Sequence, residues 1–157
     1  MSEPDDWSQD SEFLKKRTTF NQDHKVMLDQ SRRHFRVPVD VPGNRTHFSY
    51  YLWLTQIQQG RCLSTSFEKQ RRGRSLYKTV LNMGSIYWQI NTNWQAPSWS
   101  TLDYSGNWKP SHNMIEKTFA DTMLSPVIEK GVFKLWAISD HFNTKKVSVR
   151  IALYNFT

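Results

Sequence analysis

A chain of 157 residues with a single cysteine has room for one modest core, and it excludes an intramolecular disulfide and any cysteine-rich zinc or iron–sulfur site. Hydrophobic residues make up only 38%, but a 14% aromatic share compensates, because each buried aromatic removes roughly 150–250 Å² from water. The formal net charge of +7 directs attention to polyanions, either nucleic acid or an acidic membrane face.

The charge is unevenly placed. Glu3, Asp5, Asp6, Asp10 and Glu12 open the chain with no Lys or Arg among them, and Lys15, Lys16 and Arg17 follow. With so little periodicity, residues 1–19 are expected to be a disordered arm, acidic and then basic, ahead of a single domain over 20–157. The opening residues have neither the basic nor the apolar stretch of a secretory signal, and no window of about 18 apolar residues occurs. The expected location is therefore intracellular, and the sequons at Asn44 and Asn155 are expected to be chance matches.

A weak helical pattern covers 21–35, with Met27, Leu28 and Phe35 able to share a face. Pro38 and Pro42 then enforce an extended lead-in and a turn. Over 46–58, Phe48, Tyr50, Leu52 and Leu54 alternate with Tyr51, Trp53 and Ile57, which predicts a central strand ended by Gly60. Thr65 and Glu68 have capping-box spacing, and Leu76, Tyr77, Val80 and Leu81 before Gly84 give an amphipathic helix. Gly73 disfavours a helix running through the cluster, so a basic loop with a helix beginning near Ser75 is the alternative.

Residues 85–94 are strand-like, 95–111 are turn-rich, and 112–125 are expected to form a helix closed by Pro126. Residues 132–138 and 146–156 complete the pattern as two strands expected to pair, the last alternating Val147, Val149, Ile151 and Leu153 with polar neighbours. The predicted fold class is α+β, a compact antiparallel sheet with two or three short helices.

No nucleophile elbow, zinc-protease, Walker or dinucleotide-binding motif is present. The five histidines lack ligand spacing, Asp103, Glu116, Asp121 and Glu129 show no paired-carboxylate logic, and Cys62 has no histidine brought to it. These observations predict a protein that is not an enzyme and holds no cofactor or metal. The positive signal is Arg61, Lys69, Arg71, Arg72, Arg74 and Lys78, which together with Lys15, Lys16 and Arg17 are the candidate polyanion-binding residues. Trp94, Trp99 and Trp108 are the candidate aromatic contacts; they are open to core filling, insertion at a lipid interface, or stacking on bases.

The order of features resembles that of rhabdovirus matrix proteins: a charged arm, a long aromatic strand, a basic loop and helix, and late strands ending in Arg150-Ile151-Ala152-Leu153-Tyr154. That resemblance implies a non-enzymatic, self-associating virion protein that binds anionic membrane and ribonucleoprotein, with 15–17 and 71–74 facing the membrane and the acidic arm between subunits. The late-domain motif of some members is absent. The last strand also looks like that of small jelly-roll capsid proteins, whose arginine-rich start this chain lacks. A nucleic-acid-binding viral protein, such as a small capsid protein or silencing suppressor, and a cellular protein-interaction module are the alternatives.

Overall fold

The computed structural model describes residues 3–18, 23–74, 81–144 and 146–155. The architecture is α+β: α1 (Glu12–Arg17), α2 (Asp23–Arg32), α3 (Arg45–Gly73) and α4 (Pro110–Thr118) precede an antiparallel hairpin of β1 (Thr122–Glu129) and β2 (Val132–Ser139). Among the described residues, no helix is long and apolar enough to cross a membrane.

The backbone of the fold is α3, a 29-residue helix where alternation predicted a strand. The Asn44 side chain starts it by accepting from the His47 N–H at 3.1 Å, a standard N-cap bond. The buried members of the aromatic run are Phe48, Tyr51, Leu54 and Gln58, spaced by three and four, which is a helical stripe. Tyr50 and Trp53, which completed the apparent alternation, lie on the outer face and stack at 6.0 Å between ring centres. The Thr65/Glu68 spacing falls inside this helix and caps nothing.

Leu14, Phe48 and Tyr51 form a buried cluster with Trp7, Phe13, Leu28, Val37 and Leu52 packed against it. Within 3–18, composition suggested a disordered arm; there Ser11 caps α1 by accepting from the Leu14 N–H at 3.3 Å. Asp40 accepts from the Ser8 hydroxyl at 2.5 Å and the Gln9 N–H at 3.0 Å, which ties this segment to the extended stretch before α3. Burial, with the nearby Asp40 carboxylate, pushes the Tyr51 phenol up to about 12.

Chain reversal between β1 and β2 takes two residues, Lys130 and Gly131, both with positive φ (50° and 77°), as a tight hairpin turn requires. The register runs from Thr122 opposite Ser139 to Glu129 opposite Val132. Pro126, expected to close a helix, lies inside β1, where a two-stranded sheet leaves every strand an edge and tolerates the missing donor. The helix expected over 112–125 is thus α4 followed by a strand. The strand expected over 132–138 is present, but its partner is β1, not 146–156; residues 146–155 take no regular structure. Residues 85–94 form no strand beyond an isolated bridge between Asn91 and Leu102, and most of the helix expected over 76–84 lies outside the described residues.

Gly60, expected to end a strand, sits mid-helix where α4 crosses α3. A Cβ there would lie 2.9 Å from Ser111 Cα and 2.6 Å from Met114 Sδ. Replacing glycine by alanine inside a helix ordinarily stabilises it by up to about 1 kcal/mol. At this crossing the backbone of α4 blocks the methyl, so Gly60→Ala is expected to destabilise by about 1–3 kcal/mol, read as a lower midpoint in urea unfolding. An unchanged or higher midpoint would show that the helices do not meet there.

Candidate functional site

The basic cluster belongs to the scaffold. Arg71 donates to the carbonyls of Thr118 and Ala120, both at 2.7 Å, and to Asp140 Oδ2 at 2.8 Å. It therefore satisfies a carbonyl that the end of α4 leaves without a helical partner. Arg72 donates to Ser125 Oγ on β1 and lies 3.5 Å from Glu68 Oε2, while the Ser125 hydroxyl donates to the same carboxylate oxygen at 2.6 Å. Arg74 reaches Asp140 Oδ1 at 2.8 Å.

The side chains of Arg71 and Arg72 are only 12% and 11% exposed, and their contacts hold the hairpin against α3. Arg61 is exposed with its guanidinium 5.6 Å from the Phe35 ring centre, and Lys69 is exposed. Lys78 lies outside the described residues. Lys15 pairs with Asp10 and Glu12, Lys16 is exposed, and Arg17 reaches the Gln95 carbonyl at 2.5 Å. Among the described residues, the expected cations of 61–74 and of 15–17 thus make separate sets of contacts, and Arg71 and Arg74 share Asp140.

The aromatic segment has the character of a site. Its base is closed by the Thr101 N–H, directed at the Gln89 and Ile90 carbonyls at 3.2 and 3.1 Å, and by the Leu102 N–H to Ile90 at 2.7 Å. Thr101 has no exposed surface, and its hydroxyl lies 3.0 Å from the Tyr87 hydroxyl and 3.2 Å from His112 Nδ1. The His112 ring stacks on Trp108 at 4.0 Å. Lys109 donates to the Ser98 carbonyl at 3.1 Å and the Ser100 hydroxyl at 3.3 Å, and burial lowers the pKa of its amine. From α3, Gln59 Nε2 donates to the Trp99 carbonyl at 2.6 Å. Below, Tyr87 packs with Phe67 and Phe119.

On this scaffold the indoles stand out from the surface. Trp88 is 70% exposed, Trp108 55%, and Trp94 and Trp99 48% each. Trp94, Trp99 and Trp108 do not fill the core of this chain; each is about half exposed. Trp88 was missed, because 85–94 read as a strand and its ring was placed on the same side as Ile86 and Ile90. The available signal was the interleaving of aromatic and amide side chains in Tyr87-Trp88-Gln89 and Asn93-Trp94-Gln95. Flat apolar faces beside side-chain amides suit a ligand that is apolar on one face and rich in hydroxyls around its rim.

The acids are largely committed elsewhere. Asp103 accepts from the Asn107 N–H at 2.8 Å and its side-chain amide at 3.1 Å, and Glu129 meets Lys134 at 2.7 Å. Among the described residues, no three His, Cys, Asp or Glu side chains converge as a metal site would require.

No family model matches the chain. The whole chain is 32% identical over 159 residues to a beta-mannosidase of Mus musculus, of which it spans 18%, and 89% of it is 36% identical to a beta-mannosidase of Capra hircus. Among solved structures, beta-D-mannosidase from Dictyoglomus thermophilum matches 89% of the chain with a TM-score of 0.76 at 23% identity, and the chain covers 16% of it. The chain thus spans less than a fifth of the length of the curated relatives it matches.

These likenesses overturn the resemblance to rhabdovirus matrix proteins. It rested on an order of elements whose chief member, the strand over 46–58, is a helix. Also overturned are the virion and RNA-binding roles, the capsid, silencing-suppressor and interaction-module alternatives, and the expected partners: anionic membrane, ribonucleoprotein and further copies in a matrix-like assembly. The expectation of a non-enzymatic protein falls with them, since the relatives are enzymes by name.

Arg72→Ala is expected to leave Glu68 without its cation inside a part-buried cluster and to cost about 2–4 kcal/mol in urea unfolding, while Lys69→Ala stays within about 0.5 kcal/mol. Equal, small effects at both positions would return the arginines to the surface.

Proposed function

We propose that this chain is a portion of a β-mannosidase-type glycosidase and supplies an aromatic wall of its sugar-binding cleft. The observation that carries this reading is the likeness of the entire chain to mammalian beta-mannosidases. The geometry supports the role. A pyranose has one face of C–H groups and a rim of hydroxyls, and Trp88, Trp94, Trp99 and Trp108 offer indole faces beside Gln89, Asn91, Asn93 and Gln95.

Glycoside cleavage ordinarily uses two carboxyl groups flanking the scissile bond, one as acid and the other as nucleophile or base. The carboxylates of Glu68, Asp103, Glu129 and Asp140 are held by arginine, lysine or asparagine and support the scaffold. The work assigned to this segment is therefore binding and orientation of the sugar, with proton transfer belonging to carboxylates elsewhere in a longer protein. The wide apolar exposure of Trp53, Ile86, Ile90 and Ile128 fits a segment that rests against more protein.

The test is a chimera in which this chain replaces the matched 159 residues of the Mus musculus enzyme. The chimera is expected to hydrolyse an aryl β-mannoside, and Trp88→Ala within it to lower kcat/KM by ~10–100-fold at unchanged Tm. A folded chimera with no turnover, or a Trp88→Ala variant as active as its parent, would overturn the reading.

A further inference from the structure

The aromatic loop is fastened at its base by backbone hydrogen bonds between Ile90 and residues 101 and 102, but its tip at 94 and 95 is reached from another element. Arg17, the last residue of α1, donates from Nη1 to the Gln95 carbonyl at 2.5 Å. Its guanidinium carbon lies 4.8 Å from the centre of the Phe13 ring and 5.9 Å from that of Trp94. A planar guanidinium can donate along its edge while both faces pack on aromatic rings, which an ammonium cannot do.

The anchor is itself tied to the core. Phe13 packs against the cluster of Leu14, Phe48 and Tyr51, and α1 begins at a side-chain cap on Ser11. The position of the Trp94 indole is therefore referred back to the buried core through one side chain that bridges 78 positions in sequence.

We propose that Arg17 is a positioning residue of the sugar site, a latch from α1 that holds the loop tip and sets where Trp94 meets the bound saccharide. This rests on the reading of 88–108 as a sugar-binding wall. It gives the basic end of α1 a role that needs no polyanion. Loops closed at the base and open at the tip sample many positions, and a contact displaced by about 1 Å costs heavily in binding or rate. Losing the latch should weaken saccharide binding without touching the chemistry, so KM moves and kcat does not.

The test compares Arg17→Ala, Arg17→Lys, Lys16→Ala and Trp88→Ala in the mouse chimera, with mannobiose and an aryl β-mannoside as substrates. Arg17→Ala is expected to raise KM by ~5–10-fold with kcat within about twofold and Tm unchanged; Arg17→Lys should recover only part of this, and Lys16→Ala none of it to recover. A fall in kcat and Tm together would mean that Arg17 merely supports folding, and would overturn the proposal. If Trp88→Ala impairs the enzyme and Arg17→Ala does not, the latch alone is overturned; if neither does, the wall reading falls as well.

A second measurement does not depend on catalysis. In the full chain labelled with 5-fluorotryptophan, Arg17→Ala should shift or broaden the 19F resonance of Trp94, assigned by Trp94→Phe, and leave that of Trp108 in place. An unmoved Trp94 resonance would overturn the latch even where the chimera failed to fold.

Discussion

The hydroxyl of Thr101 lies within 3.0–3.4 Å of the Tyr87 hydroxyl, His112 Nδ1 and the Ile90 carbonyl, and the aromatic segment is arranged around it. Thr101 is fully buried, and leaving its hydroxyl without a hydrogen bond would cost about 1–3 kcal/mol, so its three partners are held to its position. Through them α4, the base of the loop and the Tyr87–Phe67–Phe119 cluster become one unit. This unit allows large indoles to stand half in solvent at defined positions, although exposed apolar rings on a loop would otherwise collapse onto the nearest apolar surface.

A second constraint is the crossing of α3 and α4. The 29-residue α3 provides a face for the N-terminal cluster at one end and for the hairpin at the other, and α4 reaches it closely only because Gly60 has no side chain. Arg71 and Arg72 then close the far end, with their charges met by Asp140, Glu68 and the carbonyls that end α4. Such pairs, with the arginine buried and the acid partly exposed, return little net stability against apolar packing, because desolvation offsets the attraction; their value lies in specifying a geometry. Here the geometry fixes the hairpin, which as two strands alone would be marginal.

The α+β class and the strand β2 were legible in the sequence. Other elements were misread for identifiable reasons. In 46–58 nearly every position is apolar or aromatic, so a period of two and a period of three to four fit almost equally well. Only the burial of Phe48, Tyr51, Leu54 and Gln58 separates them. Gly60 was read through its backbone freedom, while its role is to lack a side chain at a helix contact. Pro126 stands in a strand that has no second neighbour among the described residues, a tertiary fact that local pattern does not contain. The pairing of β2 with β1 turned on Lys130-Gly131, a two-residue reversal hidden between a presumed helix and the strand after it.

The candidate site shows how far a charge count can mislead. The run at 71–74 was read as a surface because its charges are consecutive and only Glu68 opposes them nearby in sequence. The balancing acid, Asp140, is contributed by the segment that follows β2 and arrives only when the hairpin docks. Arg17 likewise belongs to a local basic run, yet its face lies on two aromatic rings and its edge on a loop carbonyl. In both cases the informative property of arginine is its planar set of donors, which joins distant segments, and net charge registers none of that. The tryptophans follow the same logic in reverse. Their number implied a core, but in this chain Trp94, Trp99 and Trp108 stand about half exposed, while Lys109 is bound to Ser98 and Ser100.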